Sequence, residues 1–138
     1  MPRSSQLRTR AVTAAQVRSY VAKAEEYLAA AKSELNEGRS VAATSLAIHA
    51  AINAADVVTG IRLGRRAAGQ GHEEVLSLLG EAGHDGAEVA KDFGRLLSLK
   101  TKTEYEPDDV PKATAAKAVQ RAEHCVRVAR RVVRAQAG

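Results

Sequence analysis

Tryptophan is absent from this 138-residue chain, and Tyr20, Tyr27, Phe93 and Tyr105 are its only aromatic residues. A β-sandwich or barrel draws on aromatic and β-branched runs bounded by turns. No such run is found, which excludes an all-β fold. The single cysteine, Cys125, forms no internal disulfide, a usage that fits the reducing cytosol, so a cytoplasmic protein is expected. No apolar stretch reads as approaching the roughly 20 residues that span a bilayer. The opening MPRSSQLRTR lacks the apolar core of a signal peptide, so no membrane role is expected. A phosphate-binding loop, a dinucleotide glycine pattern, an HExxH helix and a nucleophile elbow are all missing. The four histidines, His49, His72, His84 and His124, show no metal-ligand spacing. His124 adjoins Cys125, but neighbouring helical residues point about 100° apart and do not chelate one ion. No metal and no cofactor are expected, and Cys125 reads as a small core residue rather than a nucleophile.

What the chain has is alanine, at 28 positions. Alanine favours helix but buries little area, so the core must come from closely packed helices with Leu and Val at the seams. Thr13 with Gln16 reads as a capping box. Behind it Val17, Val21, Ala24, Leu28, Ala31 and Leu35 recur at 4-3-4-3-4 spacing, which predicts a first helix ended by Asn36-Glu37-Gly38. Residues 1–12, with Arg3, Arg8 and Arg10, lack periodicity and are expected to be a basic flexible tail to a single domain over 13–138. A second helix is predicted from Ser40 to about Ile61, apolar on most sides as a surrounded helix should be. The basic, Gly-rich IRLGRRAAGQG reads as a surface loop or the frayed end of that helix. A short helix follows near His72–Leu79, with Glu73 and Glu74 in its first turn, where the dipole favours them. GEAGHDG breaks it, and a fourth helix runs roughly from Ala87 to Leu99, burying Val89, Phe93, Leu96 and Leu97. Pro107 and Pro111 mark 101–111 as irregular. The last helix extends from Pro111 to about Ala135 on an Ala115, Val119, Ala122, Val126, Ala129, Val133 seam. The expected fold is all-α: an antiparallel four-helix bundle with an extra short helix.

Two polar patterns stand out. In the second helix Ser45, His49, Asn53 and Asp56 follow at spacings of 4, 4 and 3, one stripe along an otherwise apolar helix. Either the stripe faces solvent and bonds its neighbours, or it lines a cleft where His49 moves protons near neutral pH. On the last helix Lys117, Arg121, His124, Arg127, Arg131 and Arg134 occupy the arc opposite the seam, with only Glu123 diluting the charge. That arc is either a solvated face complementing the helix dipole or a phosphate-tracking ridge for nucleic acid. The whole chain is basic, with 21 Lys and Arg against 16 Asp and Glu and a net charge of +5.

Three segments resemble the HEPN domains, small helical bundles that include RNA-cleaving toxins and defence components. SLAIHAAINAADVVTG is similar to the family's S-x-x-A-I-x-A-x-x-A-A-D helix. GQGHEEVLSLL resembles its Gly-x-x-His stretch followed by leucines. LLSLKTKTEYEPDDVPKATAAKAVQRAEHCV resembles its L-x-x-L-R-x-x-A-D-Y segment, loop and Ala-rich last helix. Together they cover residues 15–133. The resemblance implies a homodimer with its site at the interface, where Ser45, His49, Asn53 and Asp56 share a cleft with Lys100, Lys102 and Tyr105. It implies RNA or a nucleotide as ligand, or a protein partner in a toxin–antitoxin or defence setting. In some toxin-type relatives a partner nucleotidyltransferase modifies a Tyr near the position of Tyr105. RNase-active members carry an Arg with a His four to six residues on, just before or at the start of the last helix. Here that region reads Lys100-Thr101-Lys102-Thr103-Glu104-Tyr105, with neither. Lys does not reproduce the bidentate guanidinium grip on phosphate, so a non-catalytic binding protein is the expectation. The alternatives are a divergent metal-independent ribonuclease, with His49 as base and Lys102 or Tyr105 assisting, and a purely structural or regulatory interaction module. Arg66 and His72 do match the Arg–His spacing, but they lie after the second helix and read as coincidence.

Overall fold

The structure is a computed structural model describing residues 8–68, 71–105 and 109–137. Its elements run β1 (Thr9–Ala11), α1 (Ala14–Asn36), α2 (Ser40–Leu63), β2 (Arg65–Ala67), α3 (His72–Gly80), α4 (Gly83–Tyr105) and α5 (Lys112–Ala137). α1 starts on the expected capping box: Gln16 N–H donates to Thr13 Oγ1 at 3.1 Å and Thr13 N–H to Gln16 Oε1 at 3.0 Å. It ends where Gly38 takes φ +80°, a left-handed turn that a side chain would strain.

The core is built on α2, which packs most extensively against α1 and α5. Ala43, Ala47, Ala50, Ala51, Ala54 and Ala55 are all fully buried along it. Small side chains there let neighbouring backbones come close, while Leu28, Val57, Val58, Phe93, Leu96, Val126 and Val132 fill the seams. α1 lies in the groove between α2 and α5 on one side, and α4 fills the groove on the other. Ion pairs show the directions: Lys32–Glu123 and Arg130–Glu25 set α1 antiparallel to α5, and Arg131–Asp85 and Arg121–Asp92 set α4 antiparallel to it. The outward faces of α2 and α5 therefore point to opposite sides of an all-α bundle.

Five expectations are corrected. Residues 9–11 belong to no frayed tail, and 65–67 to no loop, because Thr9, Arg10 and Ala11 pair antiparallel with Ala67, Arg66 and Arg65. Val12 N–H donating to Gly64 O at 2.9 Å and Ala68 N–H to Arg8 O at 2.8 Å extend this ribbon; residues 1–7 lie outside the described residues. GEAGHDG interrupts the helices only briefly, and α4 begins at Gly83. At its other end α4 continues through residues 101–105, expected to be irregular, because a proline restricts only the residue before it and those after. Finally, α2 is by length and composition able to cross a membrane, with more than half of its apolar window buried in the bundle, the profile of a helix enclosed by others.

Candidate functional site

Ser45, His49, Asn53 and Asp56 do share one outward face of α2, beside α1. His49 is exposed, its Nδ1 lies 2.8 Å from the Ser45 carbonyl oxygen, and its ring lies 5.3 Å from that of Tyr27. The carbonyl accepts only from a protonated Nδ1, so in the neutral ring Nε2 is the open, basic nitrogen. Asn53 Nδ2 donates to the His49 carbonyl at 2.9 Å. Part of the stripe is thus satisfied within its own helix. Asp56 is half-buried, and burial pushes its carboxyl up to about 7, against the pull of the Arg66 guanidinium. Arg66, on β2, stacks 5.9 Å from the Tyr20 ring centre and donates to Ala67 O at 3.1 Å.

Tyr20, Tyr27 and Arg66 were not among the residues picked from the sequence. The seven-residue spacing of the tyrosines was a usable signal, since it puts both on one face of α1. Arg66 stands out in the sequence only through the Arg–His string with His72, which reads as coincidence. His72, its apparent partner in the Arg–His string, instead packs edge-on to Phe93 of α4 with ring centres 6.3 Å apart. Lys100, Lys102 and Tyr105 all fall on α4. Lys100 is half-buried, while the side chains of Lys102 and Tyr105 lie outside the described residues. A cleft of about 570 Å³ at the α1–α2 turn takes in Ser45, with Asp109 and Val110 as its far wall. His49, Asn53 and Asp56 do not line it.

The arc on α5 divides in two. Asp85, Glu88 and Asp92 follow at spacings of 3 and 4 on α4 and so form one acidic face against α5. Asp92 Oδ1 accepts from Arg121 at 3.3 Å, and Asp92 Oδ2 lies 2.5 Å from His124 Nδ1. His124 Nε2 lies 3.1 Å from Glu88 Oε2, and Arg131 donates to Asp85 at 2.9 Å and Glu88 at 2.8 Å. Arg62, at the end of α2, completes the lattice on Asp85 at 2.6 Å. The Arg131 hydrogen bonds hold the carboxyls of Asp85 and Glu88 below their ordinary range, helped by Arg62 at Asp85 and His124 at Glu88. Glu123, read as the residue diluting the arc, is engaged by Lys32 of α1 at 2.8 Å. The neutralising charge comes mainly from α4.

Three clefts adjoin along the α4–α5 seam, and Arg121 lines all of them. One of about 420 Å³ is walled by Arg95, Leu99, Ala113, Thr114, Lys117 and Arg121. Among the described residues, Arg95, Lys117, Arg127 and Arg134 have no hydrogen-bonded acidic partner, and no His, Cys, Asp and Glu group is arranged to hold a metal. Burial raises the Cys125 thiol far above its ordinary range, so it stays protonated and unreactive.

A HEPN domain family model matches residues 17–137. The chain belongs to the HEPN domain family. That family includes ribonucleases and defence or toxin components. A search of curated proteins finds no match. In this HEPN chain the end of α4 and the start of α5 carry Lys100, Lys102 and Lys117 and no Arg–His pair. The cleft with Arg95, Lys117 and Arg121 opens beside that segment.

Proposed function

We propose that this HEPN chain is a non-catalytic RNA-binding module that grips phosphate at the α4–α5 seam. The observation that carries the reading is the convergence of Arg95, Lys117 and Arg121 on one cleft, two of them with no hydrogen-bonded acidic partner among the described residues. Guanidinium and ammonium groups so placed supply charge-assisted donors to phosphate oxygens. Nothing in 100–105 provides the Arg and His that the RNase-active relatives carry.

The test is fluorescence anisotropy on a labelled single-stranded RNA between about 50 and 200 mM salt. Three phosphate contacts give a log–log slope of about −2, and Arg95→Ala with Lys117→Ala flattens it to about −0.7. Salt-independent binding, or an unaffected double variant, overturns the reading. A denaturing gel in EDTA run alongside is expected to show intact RNA. A second reading, a divergent metal-independent ribonuclease, is favoured by one observation: the Ser45 carbonyl engages Nδ1 of the exposed His49, which leaves Nε2 as the open nitrogen for a base. Cleavage in EDTA that His49→Ala abolishes decides for it.

A further inference from the structure

The cleft between α4 and α5 concentrates positive charge at one point of the seam. Its three cations meet at one place, and its remaining walls, Leu99, Ala113 and Thr114, are apolar or neutral. Toward the C-terminal end of α5 the seam mixes charges, and one adjoining cleft sets Asp92 among Lys117, Arg121, His124 and Arg127. The other, of about 440 Å³, is lined by Glu88 and Asp92 together with Lys91, Arg95, Arg121 and His124, and the carboxylate oxygens already engage Arg121, His124 and Arg131. A running strand entering there meets carboxylates. Among the described residues, the next cation on α5 beyond Lys117 without a hydrogen-bonded acid is Arg127, about 15 Å further along the axis at 1.5 Å per residue. That spacing is sparse for a strand that carries a charge every ~3.4 Å of duplex axis.

We infer that this cleft reads a terminal phosphomonoester, whether on the end of an RNA strand or on a free nucleotide, rather than the internal phosphodiesters of a strand. A phosphomonoester carries about −1.5 to −2 charges and three acceptor oxygens on one phosphorus. Three converging cations match that concentration of charge, whereas an internal diester brings a single charge to the same place. Arg121 is the adjustable member. Among the described residues its acidic contact is a single hydrogen bond to Asp92, at 3.3 Å the longest in the lattice, so it can turn toward a ligand at little cost. The inference rests on the RNA-binding reading above and narrows it to one end of the ligand.

The experiment compares one short oligoribonucleotide in 5′-phosphate, 3′-phosphate and hydroxyl-ended forms, with a nucleoside monophosphate as free competitor. A phosphorylated form is expected to bind about tenfold tighter than the hydroxyl form. Lys117→Ala, at an exposed position that leaves folding intact, is expected to erase the difference. Competition by the monophosphate distinguishes a free nucleotide from a strand end as the source of the group. Equal, salt-sensitive binding of all three forms overturns the inference and leaves the RNA-binding reading standing. A tenfold preference that survives Lys117→Ala also overturns it, by placing phosphate recognition elsewhere. Failure of every form to bind removes the inference and the RNA-binding reading together.

Discussion

Asp56 is the side chain whose ionisation is most at odds with its surroundings. Burial on α2 pushes its carboxyl up to about 7, and the opposing attraction of Arg66 does not restore it. An acid whose pKa is raised by folding favours the folded state most while it stays protonated. Its contribution is complete below the unfolded value near 3.8 and is lost as pH rises through about 7. Replacing the carboxyl by a neutral amide of the same shape removes that loss. Asp56→Asn is expected to stabilise the protein by about 1–2 kcal/mol at pH 8, with the gain vanishing toward pH 4. Thermal melts of both proteins across that range check it. A gain independent of pH means that a different interaction is responsible. The position of Asp56 on a polar stripe was legible from spacing alone. Its perturbation was not, because the burial that raises it depends on how the elements around α2 pack against one another.

At the scale of the element, the corner between α3 and α4 is the most demanding. The glycine-rich segment there reads as a long break, yet the chain turns within Glu81–Ala82 and starts α4 at Gly83. Such a sharp turn brings the first turn of α4 onto the end of α3. A Cβ on Gly86 would lie 2.1 Å from the Leu79 carbonyl oxygen and 2.7 Å from Ala82 Cβ. Since one of these is backbone, no side-chain rotation relieves the clash. Gly86→Ala is expected to cost about 3 kcal/mol despite the better helix propensity of alanine, read as a lower urea midpoint. Gly80→Ala is the contrast, since no atom lies within 4 Å of its added Cβ. The far end of α4 shows the same limit of local reading. Thr103 Oγ1 donates to Leu99 O at 2.8 Å, and the helix continues through a stretch that two nearby prolines made look irregular.

Across the molecule, charge organises the packing more than composition suggests. Asp85 takes Arg62 from the end of α2 and Arg131 from the end of α5, so one carboxylate ties three helices. Hydrogen bonds from Arg131 and Arg62 hold it below its ordinary value. The sign is therefore opposite to that of Asp56: this stabilisation is present above the unfolded value near 3.8 and is lost as pH falls through the lowered one. Asp85→Asn is expected to cost about 1 kcal/mol at pH 7 and progressively less as pH falls below 3.8. Melting temperatures at pH 7 and in that acid range, with salt weakening the effect at pH 7, test this.

What the sequence determined by itself was whatever repeats within a few residues. The capping box at Thr13, the 4-3-4-3-4 seams of α1 and α5, the enclosure of α2 and the all-α class follow from the period of a helix and need no partner. The shared face of Ser45, His49, Asn53 and Asp56 was legible for the same reason, and the family resemblance came from the order of these segments. The tertiary structure decided which charges remain free. Arg121, His124 and Arg131 meet acids 29–46 residues away, and Arg130 meets Glu25 across 105. No local pattern carries such pairings. The same holds for the pairing of residues 9–11 with 65–67, where neither segment has a strand-like pattern of its own. Periodicity places a side chain on a face of its own helix, but only the packing of whole helices determines what that face meets.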